Sequence, residues 1–171
     1  MKTVLIGPRP PELEALIEHR RRHGLDLFDE LWEGTLHMVP AVHASHGMVA
    51  HELAVALRVP ARHAGLRGTG PFNIGQTNNY RVPDGGYHRV NPDSVWVSTA
   101  ALVFEVLSPD DETFAKFGFY FDHGVEELVV ADPAHRSVQW FIRGTDGFEP
   151  AERGPLLGLA AVEVASAIDW P

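Results

Sequence analysis

The stretch ALVFEVLSPDDETFAKFGFYFDHGVEELVVAD, residues 101–132, decides the fold. Its opening ALVFEVL and its closing EELVVAD are apolar runs of strand length. Between them SPDDE supplies a helix start, with Ser108 as cap and acids in the first turn, and Gly124 supplies the stop near His123. A strand, a helix and a strand in this order predict two parallel strands joined by a right-handed crossover. Along the first strand side chains alternate, so Val103, Glu105 and Leu107 share one face while Leu102, Phe104 and Val106 share the other. Glu105 is therefore a carboxylate in an otherwise apolar strand. A buried, unpartnered carboxylate is so unfavourable that it must pair with a basic side chain, bind a cation, take up a proton, or lie on a solvent edge. In the helix, Phe114, Phe117 and Phe121 recur at the spacing of a core face, which places Lys116, Tyr120 and His123 elsewhere. Lys116 and Lys2 are the only lysines. Lys116 is thus either a solvated surface residue or the cation of a site.

Working outward, Pro10 and Pro11 open a helix carrying Leu13, Leu16 and Ile17 that stops at Gly24, so residues 1–24 read as an N-terminal helical segment. LDLFDELWEGTLHMVP reads as two strands about a Glu33-Gly34 turn. A second helix runs from Ser45, its expected cap, through Met48, Val49, Leu53, Ala56 and Leu57 to an end or kink near Pro60. Residues 65–86, rich in Gly, Asn and Pro, hold short strands near 72–74 and 80–82. Pro83 lacks an amide hydrogen, so pairing should stop there and project Asp84, in a dipeptide that also serves as a plain turn. SVWV and RSVQWFI are further strands, and the apolar tail LLGLAAVEVASAIDWP packs on the rest. The sum is an α/β fold, one domain over residues 1–171 with a central mixed sheet flanked by helices.

Composition bounds the function. A chain of 171 residues with 44% apolar and 22% charged residues builds one folded core. No apolar window approaches the roughly 18 residues of a membrane span, and MKTVLIGPRPPELE turns to Pro and Glu too early for a signal peptide, so a cytoplasmic, non-membrane protein is expected. Absence of cysteine excludes disulfides, thiolate metal sites and cysteine nucleophiles. A net charge of −9 runs against a broad nucleic-acid footprint. A cation among carboxylates would offset part of it, and Arg20, Arg21, Arg22, Arg58, Arg62 and Arg67 are candidates for a basic face. His43, His46 and His51 do not form an H-E-x-x-H pattern, and no phosphate loop or G-x-S-x-G is present. Asp84 and Glu105 together suit a hard divalent cation such as Mg²⁺, with a backbone carbonyl such as that of Val106 as a further ligand. In an E-x-K strand the lysine follows the glutamate by two residues; here that position is Leu107, and Lys116 in the next helix is a candidate for the replacement cation.

RVPDGG, VFEVLSPDDET and AKFGFYFDHGVEELVVADP, preceded by LWEGTLHMVP and a helix beginning near His46, resemble the Uma-type restriction endonucleases, a bacterial branch of the PD-(D/E)xK nuclease superfamily. The resemblance runs from about Leu25 to the terminal IDWP. Its specific part is E-V-L-S-P together with the K-x-x-x-Y-x-x-x-G-V spacing of Lys116, Tyr120, Gly124 and Val125. It implies a restriction-endonuclease-like core and a Mg²⁺ or Mn²⁺ ion held by Asp84 and Glu105, with Lys116 as relocated lysine. His46 and Tyr120 are the expected substrate contacts. Two departures stand out: Gly85-Gly86-Tyr87-His88 replaces an apolar strand continuation, and the loop from Ser108 to Lys116 is short. The expected activity is metal-dependent hydrolysis of DNA. The alternatives are a binding or assembly module that does not cut and, less favoured, a hydrolase of small phosphoesters. Apolar strands and the tail suggest a homodimer.

Overall fold

Glu127–Asp132 runs parallel to Leu102–Val106, with Val130 opposite Glu105, as the strand-helix-strand pattern requires. The computed structural model describes residues 3–5, 10–109 and 112–171. The parallel pair forms the middle of a six-stranded sheet in the order Phe148–Ala151, Ser137–Arg143, Glu127–Asp132, Leu102–Val106, Gly85–His88, Arg67–Thr69. Every other pairing in this sheet is antiparallel. Because Leu102–Val106 is central, all its residues are buried, and its alternating side chains feed two cores. Leu102, Phe104 and Val106 pack with Val49, Leu53 and Leu57 of the Ala44–His63 helix and with Val164 and Ile168 near the C-terminus. Val103 joins Ile74, Phe119, Tyr120, Val125 and Leu128 on the opposite face, which is also the face of Glu105.

A second six-stranded sheet has the order Thr3–Leu5, Thr35–Met38, Glu30–Trp32, Asn79–Arg81, Asn73–Gln76, Trp96–Val97. Its hairpin turns on Glu33 and Gly34, both at positive φ (46° and 89°), the conformation that two-residue hairpins favour. The chain leaves this sheet after Arg81 and enters the first at Gly85, so residues 82–84 are the passage between the sheets.

Several expectations are corrected. Residues 1–24 are not helical throughout: Thr3–Leu5 is a strand paired with Thr35–Met38, and the helix is Pro11–Arg22. The second helix begins at Ala44, and its cap is His43, whose ring nitrogen accepts from the Ser45 amide. Pro60 lies inside its last turn and the helix continues to His63. Gly85–His88 is a fully buried strand rather than an interruption. A Cβ on Gly85 would lie 2.2 Å from the Phe104 ring and one on Gly86 2.6 Å from the Leu102 carbonyl oxygen, so glycine is what lets this strand approach its neighbours. Between the parallel strands, a 3₁₀ turn at Thr113–Lys116 precedes the Phe117–Asp122 helix. Three residues per turn change the phase, and the inward side chains are Thr113, Lys116, Phe119 and Tyr120, while Phe114 is half exposed. The acidic first turn expected after Ser108 falls partly on residues 110–111, outside the described residues. Among the described residues no helix is long and apolar enough to cross a membrane.

Candidate active site

Asp84 owes its position to Pro83. Continuing the register in which Gly85 faces Phe104 sets Asp84 opposite Glu105 and Pro83 opposite Val106. Proline has no amide to exchange with Val106, and the Val106 amide instead donates to Asp84 Oδ2 at 2.8 Å. Asp84 Oδ1 lies 2.8 Å from His46 Nε2, in the first turn of the Ala44–His63 helix. A carboxylate only accepts, so Nε2 carries the hydrogen, and in the neutral ring Nδ1 accepts from the Ser108 hydroxyl 3.0 Å away. His46 thus links the start of one strand to the end of the next.

Glu105 is 4% exposed. Its Oε1 accepts from the Tyr120 hydroxyl at 2.6 Å and from Lys116 Nζ at 3.1 Å. Lys116 Nζ also lies 3.0 Å from Glu30 Oε1. Glu30, 2% exposed, accepts the Val82 amide at Oε1 and the Trp32 indole N–H at Oε2. Lys116 therefore bridges a carboxylate from each sheet, and is a buried site cation rather than a solvated surface lysine. Among the described residues both side-chain bonds that Glu105 accepts fall on Oε1, so that Oε2 could take another cation or water.

Burial pushes the Glu105 carboxyl up to about 7, and the neighbouring Asp84 and Glu30 add to the rise against the lowering effects of Lys116 and Tyr120. For Lys116 burial acts downward, yet Glu105 and Glu30 outweigh it and hold the ammonium above its ordinary value. Burial and the same two acids raise the Tyr120 hydroxyl well above its usual range. Lys116 thus stays a cation and Tyr120 a neutral donor at neutral pH. Tyr120 has no exposed surface; it lies beneath Glu105 rather than at the surface where a substrate contact was expected.

Around this centre Arg81, 3% exposed, lies between the rings of Trp32 and Phe119, 4.3 and 4.1 Å from their centroids. It donates to Glu33 at 3.1 Å and to the Leu31 carbonyl, so the Glu-Gly turn acts as a lid on a buried guanidinium. Of the six arginines considered as a basic face, Arg20 is committed to Asp29, and Arg21 and Arg22 lie 3.8 Å from Glu18. His43 is taken up by helix capping. Glu30 carries in weaker form the signal that singles out Glu105: an acid in a strand, followed by Leu31 and Trp32.

A mixed sheet flanked by helices, with an acid projected before one strand set against an acid within the next, is the restriction-endonuclease-like α/β class. Residues 12–167 match the Uma2 family model, described as "Putative restriction endonuclease", and the chain belongs to this nuclease family. Among solved structures it is similar to a "putative nuclease belonging to DUF820" from Anabaena variabilis, with a TM-score of 0.65 at 15% identity, over 82% of this chain and 90% of that one; at that identity the likeness concerns the fold. Among curated proteins none matches the sequence.

Proposed function

We propose that the protein is a metal-dependent endonuclease that hydrolyses DNA phosphodiester bonds at the Asp84, Glu105 and Lys116 site. One observation carries this reading: Glu30 and Glu105 share the single ammonium of Lys116 and Asp84 acts on the same group, an excess of acid that adds to burial in raising the Glu105 carboxyl. A divalent cation beside Oε2 of Glu105 would relieve that excess. Among the described residues no set of three or more His, Asp or Glu side chains forms a complete metal cage. The protein's share would be Asp84, Glu105 and the Val106 carbonyl, an oxygen-only set that leaves room for water and phosphate, as Mg²⁺ and Mn²⁺ accept. When bound, such an ion supplies Lewis-acid charge and an acidified water. The residues supply the rest. The Val106 amide and His46 fix Asp84, Tyr120 orients Glu105, and Lys116 brings a fixed positive charge to the charge developing on phosphorus. His46, with Nε2 on Asp84 and Nδ1 on the Ser108 hydroxyl, acts through Asp84 at the edge of the site.

Lys116 Nζ, 3.1 Å from Glu105, supports the catalytic reading over a module that does not cut, since it stands in for the cation missing at Leu107. The test is cleavage of supercoiled and linear DNA with Mg²⁺ or Mn²⁺ by the wild type and by Asp84→Ala, Glu105→Ala and Lys116→Met, with folding checked by circular dichroism. Loss of metal-dependent cleavage in each variant is expected. Equal activity in all four proteins would remove this site from the chemistry.

A further inference from the structure

We propose that Glu30 is a positioning residue for Lys116, dividing its ammonium between the two sheets so that it does not collapse onto Glu105 alone; this rests on the nuclease reading above. Lysine is a point charge on a flexible four-carbon stem, so its head goes where acids hold it. Here the two acids are Glu30 Oε1 at 3.0 Å and Glu105 Oε1 at 3.1 Å. An ammonium has three hydrogens. With two of them directed at opposite sheets, the third is aimed by geometry, which a lone ion pair with Glu105 would not achieve.

Glu30 is itself locked in place. Its other oxygen is fixed by the Trp32 indole at 2.7 Å, and Oε1 also accepts the Val82 amide at 2.9 Å. Val82 lies two residues before Asp84, in the passage between the sheets. A single oxygen of Glu30 therefore sets both the lysine and the segment that delivers the first carboxylate. Glu30 acts on the reaction only through these two groups.

The chain has two lysines, Lys2 and Lys116, so protein labelled with ¹⁵N-lysine yields two side-chain signals and reports on Lys116 without metal or DNA. In the wild type the Lys116 Nζ signal is expected to be protected from solvent exchange. Glu30→Gln is expected to remove that protection while far-UV circular dichroism stays unchanged. It should lower kcat for Mg²⁺-dependent DNA cleavage on the order of 10–100-fold, as loss of residues behind a site's ligands commonly does, with KM for DNA unchanged. Glu30→Asp, which keeps the charge one methylene shorter, should restore part of both and serves as the test if the glutamine variant does not fold. An unchanged Lys116 signal in the variant that folds would overturn the proposal, as would a fall in KM affinity alone. If Lys116 loses protection but the wild type cleaves no DNA, Glu30 still positions the lysine and the nuclease reading is what fails.

Discussion

Replacing Glu105 with glutamine is expected to make the protein relatively more stable as pH rises. Folding buries this carboxyl between Asp84 and Glu30 and shifts it from 4.5 to about 7, so the native state holds the proton more tightly than the unfolded chain. The stability this group contributes is complete below its unfolded value and is lost as pH rises through the folded one. Moving a carboxyl over this range corresponds to about 3 kcal/mol, of which about 2–3 kcal/mol falls between pH 5 and pH 8. Glutamine keeps the shape and has no proton to lose. It also weakens the bonds to Lys116 and Tyr120, but Lys116 and Tyr120, both raised, do not titrate in this window, so that loss is constant with pH. Urea unfolding of both proteins at pH 5, 6, 7 and 8 isolates the effect. The difference in unfolding free energy, glutamine variant minus wild type, should climb by about 2–3 kcal/mol, or about 4–12 °C in relative Tm for a chain of this size. A difference that stays flat across the four pH values would refute the picture of a carboxyl held near 7 by burial and acid neighbours.

Metal binding should show the same group from the other side. Affinity for Mg²⁺ or Mn²⁺ is expected to fall as pH drops below about 7, where Glu105 takes up its proton, with proton release visible by calorimetry in buffers of different ionisation enthalpy. His46→Ala removes the partner shared by Asp84 and Ser108 and should weaken metal binding or turnover about 10–100-fold with little change in Tm. Gly86→Ala places a Cβ 2.6 Å from the Leu102 carbonyl oxygen, a backbone atom that cannot step aside, and should destabilise by about 1–3 kcal/mol in thermal or urea unfolding.

The elements easiest to see in the sequence were those whose signal is local. The apolar runs about Glu105 and Val129, the Glu33-Gly34 turn and the Pro83 stop each act within a few residues, and each appears where its pattern put it. What escaped depends on a neighbour distant in sequence. Gly85 and Gly86 look like a loop until Phe104 and Leu102 are known to press on them. The inward face at Thr113, Lys116, Phe119 and Tyr120 was hidden because a 3₁₀ turn precedes the α-helix, so a single helical period misassigns Phe114. Glu30 was passed over because its strand is three residues long and its meaning comes from Lys116, 86 positions along the chain, on an element covering the other sheet.

Residues 82–84 carry the chain from one sheet to the other, and carboxylates from both sheets meet at Lys116. The site therefore belongs to neither half and exists only when both have docked. During refolding from urea, strand content should return first and cleavage activity last, so catalysis serves as a clock for the final assembly step. A fragment carrying residues 85–171 alone retains Glu105 and Lys116 but lacks Glu30, His46 and Asp84, and should regain neither a fixed Lys116 nor activity.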